Sequence, residues 1–510
     1  MSKLLFFFFP LMFCYAQQNT ITPLIKPSFE ISSTVLSGKI VKKQSFWDTN
    51  KKRIYTVHHI KSSEFFKGNS ETTVYLVTEG GSVGLDGMIS SNMIRFNKNS
   101  KGIFQLTHQN KLKLDGFDHN NKLYTLTNST YGFFEYDEFI NKIKIGSEKT
   151  VGIDEFETII TSLTKKKSKI NVGFLNDNKP NVQNYSVQPE ISEIYPLIIP
   201  AGNSEILTIT GSGFGDFETT SGRASIFFPN ANTGGSDLIE CLRSQILLWT
   251  DNEISVQVPS DSGTGPVRFR KADGTTFQSS ETIEIPYNLS SFIYPNDGSD
   301  SDIEYPIYHP GSMFEDLNAE LDEPGSQEPL DYISEGKFVF TLNSDFNDNQ
   351  LAKESFIIQL EEWTCNTGIN FELNENTTPI STYDRDYLNV ISFDNQQSLG
   401  TTYTYYNGCI LRDSNTQEIT NVEAFIVEVD ITFNNDVNWG YAEDVNGNQF
   451  DFDSTALHEL GHAAGLGHII NRFGLMHYVG GTGQDNFALI DDYIPALSTI
   501  LRRSISTNVC

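Results

Sequence analysis

Phe425, Val427, Val429, Ile431 and Phe433 alternate with Ile426, Glu428, Asp430 and Thr432. A period of two over this length predicts a half-buried strand. The same reading gives strands at 337–342 and 387–393. Between them, Phe356, Ile357, Leu360 and Trp363 recur at helical spacing within 351–363, a core-facing stripe. Upstream, 35–41, 54–60 and 73–78 are rich in β-branched and aromatic residues and read as strands. Gly80-Gly81 marks a turn, and 154–163 suits one short helix. Short alternating strands separated by Gly, Asp, Asn and Ser recur from 187 to 288, as a β-sandwich requires. Two stretches carry no period: the polar run at 166–186, and 289–335, rich in Asp, Ser, Pro and Gly. The fold expected is multidomain. A β-rich N-terminal region (17–165), a linker, a sandwich (187–288) and a second linker lead to an α+β domain (336–510).

Composition adds a compartment. Residues 1–16 have Lys3, an apolar run at 4–13 and a small-x-small end at Cys14-Tyr15-Ala16. That is a signal peptide, too short for a stable span, so the mature chain is expected to be secreted or associated with the cell surface. A lipid on Cys14 is disfavoured by the bulky residues before it. No later stretch is apolar enough for a transmembrane segment. The formal charge of −29, from 65 acidic and 36 basic residues, argues against nucleic acid or an anionic membrane as partner. Cys241, Cys365, Cys409 and Cys510 allow three full pairings. Cys365 with Cys409 lies within one predicted domain.

The chemistry is concentrated in His458-Glu459-Leu460-Gly461-His462-Ala463-Ala464-Gly465-Leu466-Gly467-His468. Histidines four apart on a helix project from one face and reach one metal. Glu459 stands beside the first ligand, within reach of water at the metal. Gly465 can take φ > 0, end the helix and turn the chain so that His468 becomes a third ligand. Three nitrogen ligands leave one open position on zinc, the catalytic pattern. His58 and His59 are adjacent, point to opposite faces of a strand and make no such pair.

This stretch, with Met476 in Gly474-Leu475-Met476-His477-Tyr478 soon after, resembles the metzincin zinc peptidases. The resemblance implies one catalytic zinc, a protein or peptide substrate and a hydrophobic floor from Met476. It also implies Glu459 as general base and Tyr478 near the metal or the oxyanion. The strand at 429–433, Trp439 and the segment from Asp491-Asp492 into 493–501 are similar to matrixins. Two matrixin features are missing: a P-R-C-G-x-P-D segment, so latency by a cysteine on zinc is not expected, and the histidines of a second zinc site, since 336–457 contain none. Residues 189–196 and 206–215 resemble an IPT/TIG module, which implies binding or spacing and no chemistry. Asp444, Asn446 and Asn448 offer oxygens for calcium, or make an ordinary Asn-Gly turn with Gly447. Two other functions stay open. One is a surface adhesin or binding protein, contacting surfaces or glycans through its β modules, with a vestigial zinc domain. The other is a hydrolase of non-peptide amides.

Overall fold

The computed structural model describes residues 21–97, 99–129, 131–146, 149–165, 167–175, 189–220, 222–294, 302–309, 338–367, 369–396, 398–412, 419–441, 445–483 and 493–501. The leader, most of the first linker, Asp444, Asp491-Asp492 and Cys510 lie outside the described residues.

Strands dominate. In the N-terminal region eight strands form one sheet, in the order Thr34–Trp47, Ile54–Lys67, Thr73–Glu79, Leu123–Leu126, Lys101–Gln109, Phe133–Asp137, Lys142–Ile145 and Lys149–Gly152. Thr34–Trp47 also pairs with Lys101–Gln109, so the first five strands close into a ring. Its filling is the inward set Leu36, Ile40, Ile60, Val74, Leu76, Phe104 and Leu106, all fully buried. Closure removes two sheet edges that would otherwise be bare. The helix Ile153–Thr164 buries Phe156, Ile159 and Ile160. A second helix, Thr22–Ile31, was not expected in a region read as β. It buries Ile25 and Phe29 in the same core, and Pro27 lies within it. His58 is buried against Thr78 Oγ1 at 2.9 Å, while His59 packs edge-on against Tyr75.

Two four-stranded sheets follow, one built from Glu190–Tyr195, Ile206–Ser212, Glu253–Gln257 and Ile246–Trp249. The other contains Leu238–Glu240, Ser225–Pro229, Gly265–Arg270 and Thr276–Ile283. Leu207, Ile209, Ile226, Phe228, Ile254, Val256, Val267 and Phe269 point into one shared core. Their alternation with polar residues is what places one face of each sheet inward.

The largest sheet has nine strands and crosses what the sequence reads as separate modules. We label β1 (Gly81–Val83), β2 (Asp86–Ser90), β3 (Ile303–Tyr308), β4 (Phe338–Leu342), β5 (Phe371–Leu373), β6 (Asn389–Asp394), β7 (Gly400–Arg412) and β8 (Ile419–Asn434). The main path runs β5-β4-β6-β8-β7-β2-β1; β3 pairs with β8 in parallel, and with Ser291–Tyr294. β1 and β2 therefore come from the N-terminal region and extend the C-terminal sheet. β3 and Ser291–Tyr294 correct the expectation of a linker over 289–335. Phe292 and Ile307 are buried in the C-terminal core, and their burial outweighs the turn-forming composition around them. The helices that pack against this sheet include α1 (Gln350–Thr367), α2 (Phe452–Ala463) and α3 (Ile494–Ile500), together with the short helix Ser344–Asp348. Ala352, Phe356, Leu360 and Trp363 form the buried stripe of α1. Among the described residues no helix is long and apolar enough to cross a membrane.

Candidate metal centre

The helix α2 carries the first two histidines. Its cap is Asp451, whose side chain accepts from the Ser454 amide at 3.2 Å. Leu457 and Leu460 face the core, and Trp363 of α1 donates its indole N–H to the Leu457 carbonyl at 2.9 Å. Gly461 keeps that contact close. A Cβ there would stand 3.3 Å from the Trp363 ring and collide with the sulfur of Met476, which is fully buried. Met476 thus packs beneath the turn that joins His458 to His462.

Gly465 has φ +98°, a conformation that favours glycine, and the helix ends there. Leu466 and Gly467 then pair antiparallel with Leu289 and Asn288, the residues that leave the sandwich. This turn delivers His468. Its Nε2 lies 3.3 Å from that of His458 and 3.2 Å from that of His462, and the latter two are 3.0 Å apart. Every Nδ1 is occupied on its far side. His458 donates to the Leu475 carbonyl at 2.7 Å, His462 to the Leu466 carbonyl at 2.8 Å, and His468 to Asn232 Oδ1 at 2.8 Å. Such bonds put the ring hydrogen on Nδ1 and aim the Nε2 lone pair at the shared centre. Burial keeps the rings neutral. It lowers His458 to about 4, against the opposing pull of the Leu475 bond, and holds His462 and His468 well below the usual range.

Three neutral, converging nitrogens fit a metal ion. Tetrahedral zinc with nitrogens at about 2.0–2.1 Å separates its ligands by about 3.3 Å. Among the described residues this is the one group of three His, Cys, Asp or Glu side chains close enough to share a metal. Calcium finds no such support. Asn446 and Asn448 belong to a turn that uses its own oxygens: Asn446 Oδ1 accepts from the Asn448 amide at 3.3 Å, and the Asn448 carbonyl accepts from Asn438 at 3.1 Å.

Glu459 is 3% exposed. Its Oε2 accepts from Thr402 Oγ1 at 2.6 Å and, at 3.5 Å, from Ser91 Oγ. Oε1 carries no hydrogen bond among the described residues; a Cβ on Gly400 would lie 2.6 Å from it, so glycine clears space there. Burial pushes this carboxyl up to about 7, against the bonds from Thr402 and Ser91. The hydroxyl of Tyr478 abuts Gly234 of the sandwich. Cys241 is a free, buried thiol, and Cys365 is disulfide-bonded; the Cys409 side chain lies outside the described residues.

Several functional side chains escaped the sequence reading. Thr402 and Gly400 belong to β7, which was not predicted, although Thr401, Thr402, Tyr403, Thr404, Tyr405 and Tyr406 carry a clear β signal. Ser91 and Asn232 lie hundreds of residues from the histidines and have no local signal. Asn232 brings a sandwich side chain against His468, a contact the expected binding or spacing role did not include. Replacing Asn232 with Ala removes the acceptor on His468 Nδ1 and is expected to weaken zinc binding about 10- to 100-fold. Chelator competition would measure this, and Asn232→Asp, which keeps an acceptor oxygen, should retain most of the affinity.

Comparison with known proteins agrees with this geometry. Residues 339–500 match the Matrixin family of peptidases, and residues 189–285 match the IPT/TIG domain. The chain therefore carries a matrixin-like domain preceded by a TIG module. At the family level that assignment supports a zinc metallopeptidase. No curated protein matches the chain. One crystal structure with partial similarity is a structural genomics protein of unknown function from Bacteroides thetaiotaomicron VPI-5482. It has 13% identity over 22% of this chain and 24% of that one, with a TM-score of 0.17. Another is a putative phosphatase from the same organism, with 18% identity over 23% of each chain and a TM-score of 0.15. The match spans about a quarter of those proteins' own length.

Proposed function

We propose that the protein is a secreted zinc-dependent endopeptidase whose 336–510 region is the α+β catalytic domain of a metzincin. The observation that carries this reading is the convergence of three Nε2 atoms beside a buried, half-bonded carboxylate. His458, His462 and His468 would hold zinc, and each ring is fixed by the acceptor on its Nδ1. Bound there, zinc supplies Lewis acidity to water and to the scissile carbonyl. Glu459 acts as general base, taking a proton from water at Oε1 and later giving it to the leaving amine. Thr402 steers that exchange by occupying Oε2. Met476 excludes water from beneath the histidines. Tyr478, whose hydroxyl abuts Gly234, is the residue assigned to help hold the oxyanion. The leader at residues 1–16 supports export, and peptide substrates follow from the matrixin match.

The test is metal content together with proteolysis of an unfolded protein such as casein. One zinc per chain is expected, with cleavage abolished by phenanthroline and restored by zinc. Absence of zinc from the purified protein would overturn the reading.

A further inference from the structure

Outside the metal centre, the feature that asks most for an account is the seat of β2 on β7. Ser90, Ile89, Met88, Gly87 and Asp86 lie opposite Tyr403, Thr404, Tyr405, Tyr406 and Asn407 in antiparallel register. The pairing continues past the end of the strand. The Ser91 amide donates to the Thr402 carbonyl at 2.9 Å, and the Thr402 amide donates to Ser91 Oγ at 3.0 Å. The side-chain amide of Asn92 donates to the Gly400 carbonyl at 2.8 Å and to Thr401 Oγ1 at 3.0 Å. Residues 86–92 thus satisfy the edge of β7 along the whole stretch that approaches Glu459. Ser91 itself reaches the carboxylate.

A bare strand edge is a template for one extended peptide, held by main-chain bonds. An edge holds one strand at a time. A peptide placing its scissile bond beside Glu459 by pairing with β7 would meet residues 86–92 already there. We propose that residues 86–92 are an internal occupant of the peptide-binding edge, so that the full-length chain is latent until this strand leaves. The proposal rests on the peptidase reading above. It needs no cysteine on the metal, and it assigns regulation to the N-terminal region.

The seat is built to hold. Met88 is fully buried in a cluster with Trp47, Ile54, Tyr403, Tyr405 and Val427, drawn from both regions. Arg53 lies 3.7 Å over the Tyr383 ring and pairs with Asp384 at 2.7 Å, while Tyr383 stacks on Tyr403 at 3.7 Å. Gly87 is the narrow point. A Cβ there would fall inside the Tyr406 ring, which is fixed by a 2.6 Å bond between its hydroxyl and Ser82 Oγ. Gly87 does not have a left-handed φ, so a side chain is barred by the partner strand and not by its own backbone.

Gly87→Val in the full-length chain should therefore unseat β2 without touching a residue of the metal centre. Arg53→Ala loosens the same contact from a distance and serves if the first variant folds poorly, which its melting curve would reveal. Hydrogen exchange across residues 400–407 reports release, with about a tenfold acceleration expected. Casein cleavage reports competence; it should rise about tenfold or more, because apparent affinity scales with the fraction of open molecules. Release with measurable cleavage in wild type that does not rise in the variant would overturn the proposal and leave the peptidase reading standing. Release with no cleavage in either protein, zinc being bound, would overturn both.

Discussion

Glu459→Ala is expected to bind one zinc per chain and to lower kcat/KM by about a thousandfold or more, since general acid–base assistance contributes about 10²–10⁴. The carboxylate is not one of the three converging nitrogens' partners, so its loss should leave metal affinity nearly intact. What disappears is the group that takes and returns the proton. The change also removes the acceptor for Thr402 Oγ1, whose second contact is the Glu459 main-chain carbonyl at 3.1 Å. That remaining bond keeps Thr402 satisfied and limits the structural cost. The measurement is kcat/KM on a peptide beside zinc content and melting temperature, in a background where the β2 strand has been released. A variant that retained activity would remove Glu459 from the mechanism.

Trp363→Ala carries the largest expected cost in stability. The indole is fully buried, it ties α1 to α2 through the Leu457 carbonyl, and it packs beside Gly461. Truncation leaves a cavity and an unpaired carbonyl, for a loss of about 3–5 kcal/mol. Because the ring supports the turn between His458 and His462, zinc affinity should fall with stability. Denaturant unfolding of the zinc-free and zinc-loaded protein would separate the two effects. Trp363→Phe, which keeps most of the packing and gives up one hydrogen bond, should lose about 1–2 kcal/mol. Equal melting of Trp363→Ala and wild type would mean that α2 is held by other contacts.

These side chains show how far sequence reading reaches. His458, Glu459, His462, Gly465, His468 and Met476 are close in the chain, and helix geometry alone brings most of them together. The alternation over 425–433 and the stripe of 351–363 are likewise local, because burial on one face leaves a period that can be counted. What composition obscured was burial of a few residues in a polar stretch, as with Phe292 and Ile307. What no period could supply was contact across long separations. Asn232 stands 236 residues from His468, and Ser91 stands 368 from Glu459. Neither lies in a pattern, since each is selected by one atom of a distant partner. The missed strand β7 is a different case, because its threonines and tyrosines carried the signal.

The pairing of Asn288 and Leu289 with Gly467 and Leu466 makes His468, the proposed third ligand, part of a joint. The Asn288 side chain tightens it, donating to the His468 carbonyl at 3.2 Å and to the Ser262 carbonyl at 2.7 Å. A load on the sandwich is therefore borne by the loop that carries His468. By linkage, whatever a metal ion gains from a well-placed third imidazole, the joint gains in stiffness. If the three histidines hold zinc as proposed, occupancy and the rigidity of this joint would be coupled: stripping the metal would soften the joint, and straining the joint would loosen the metal.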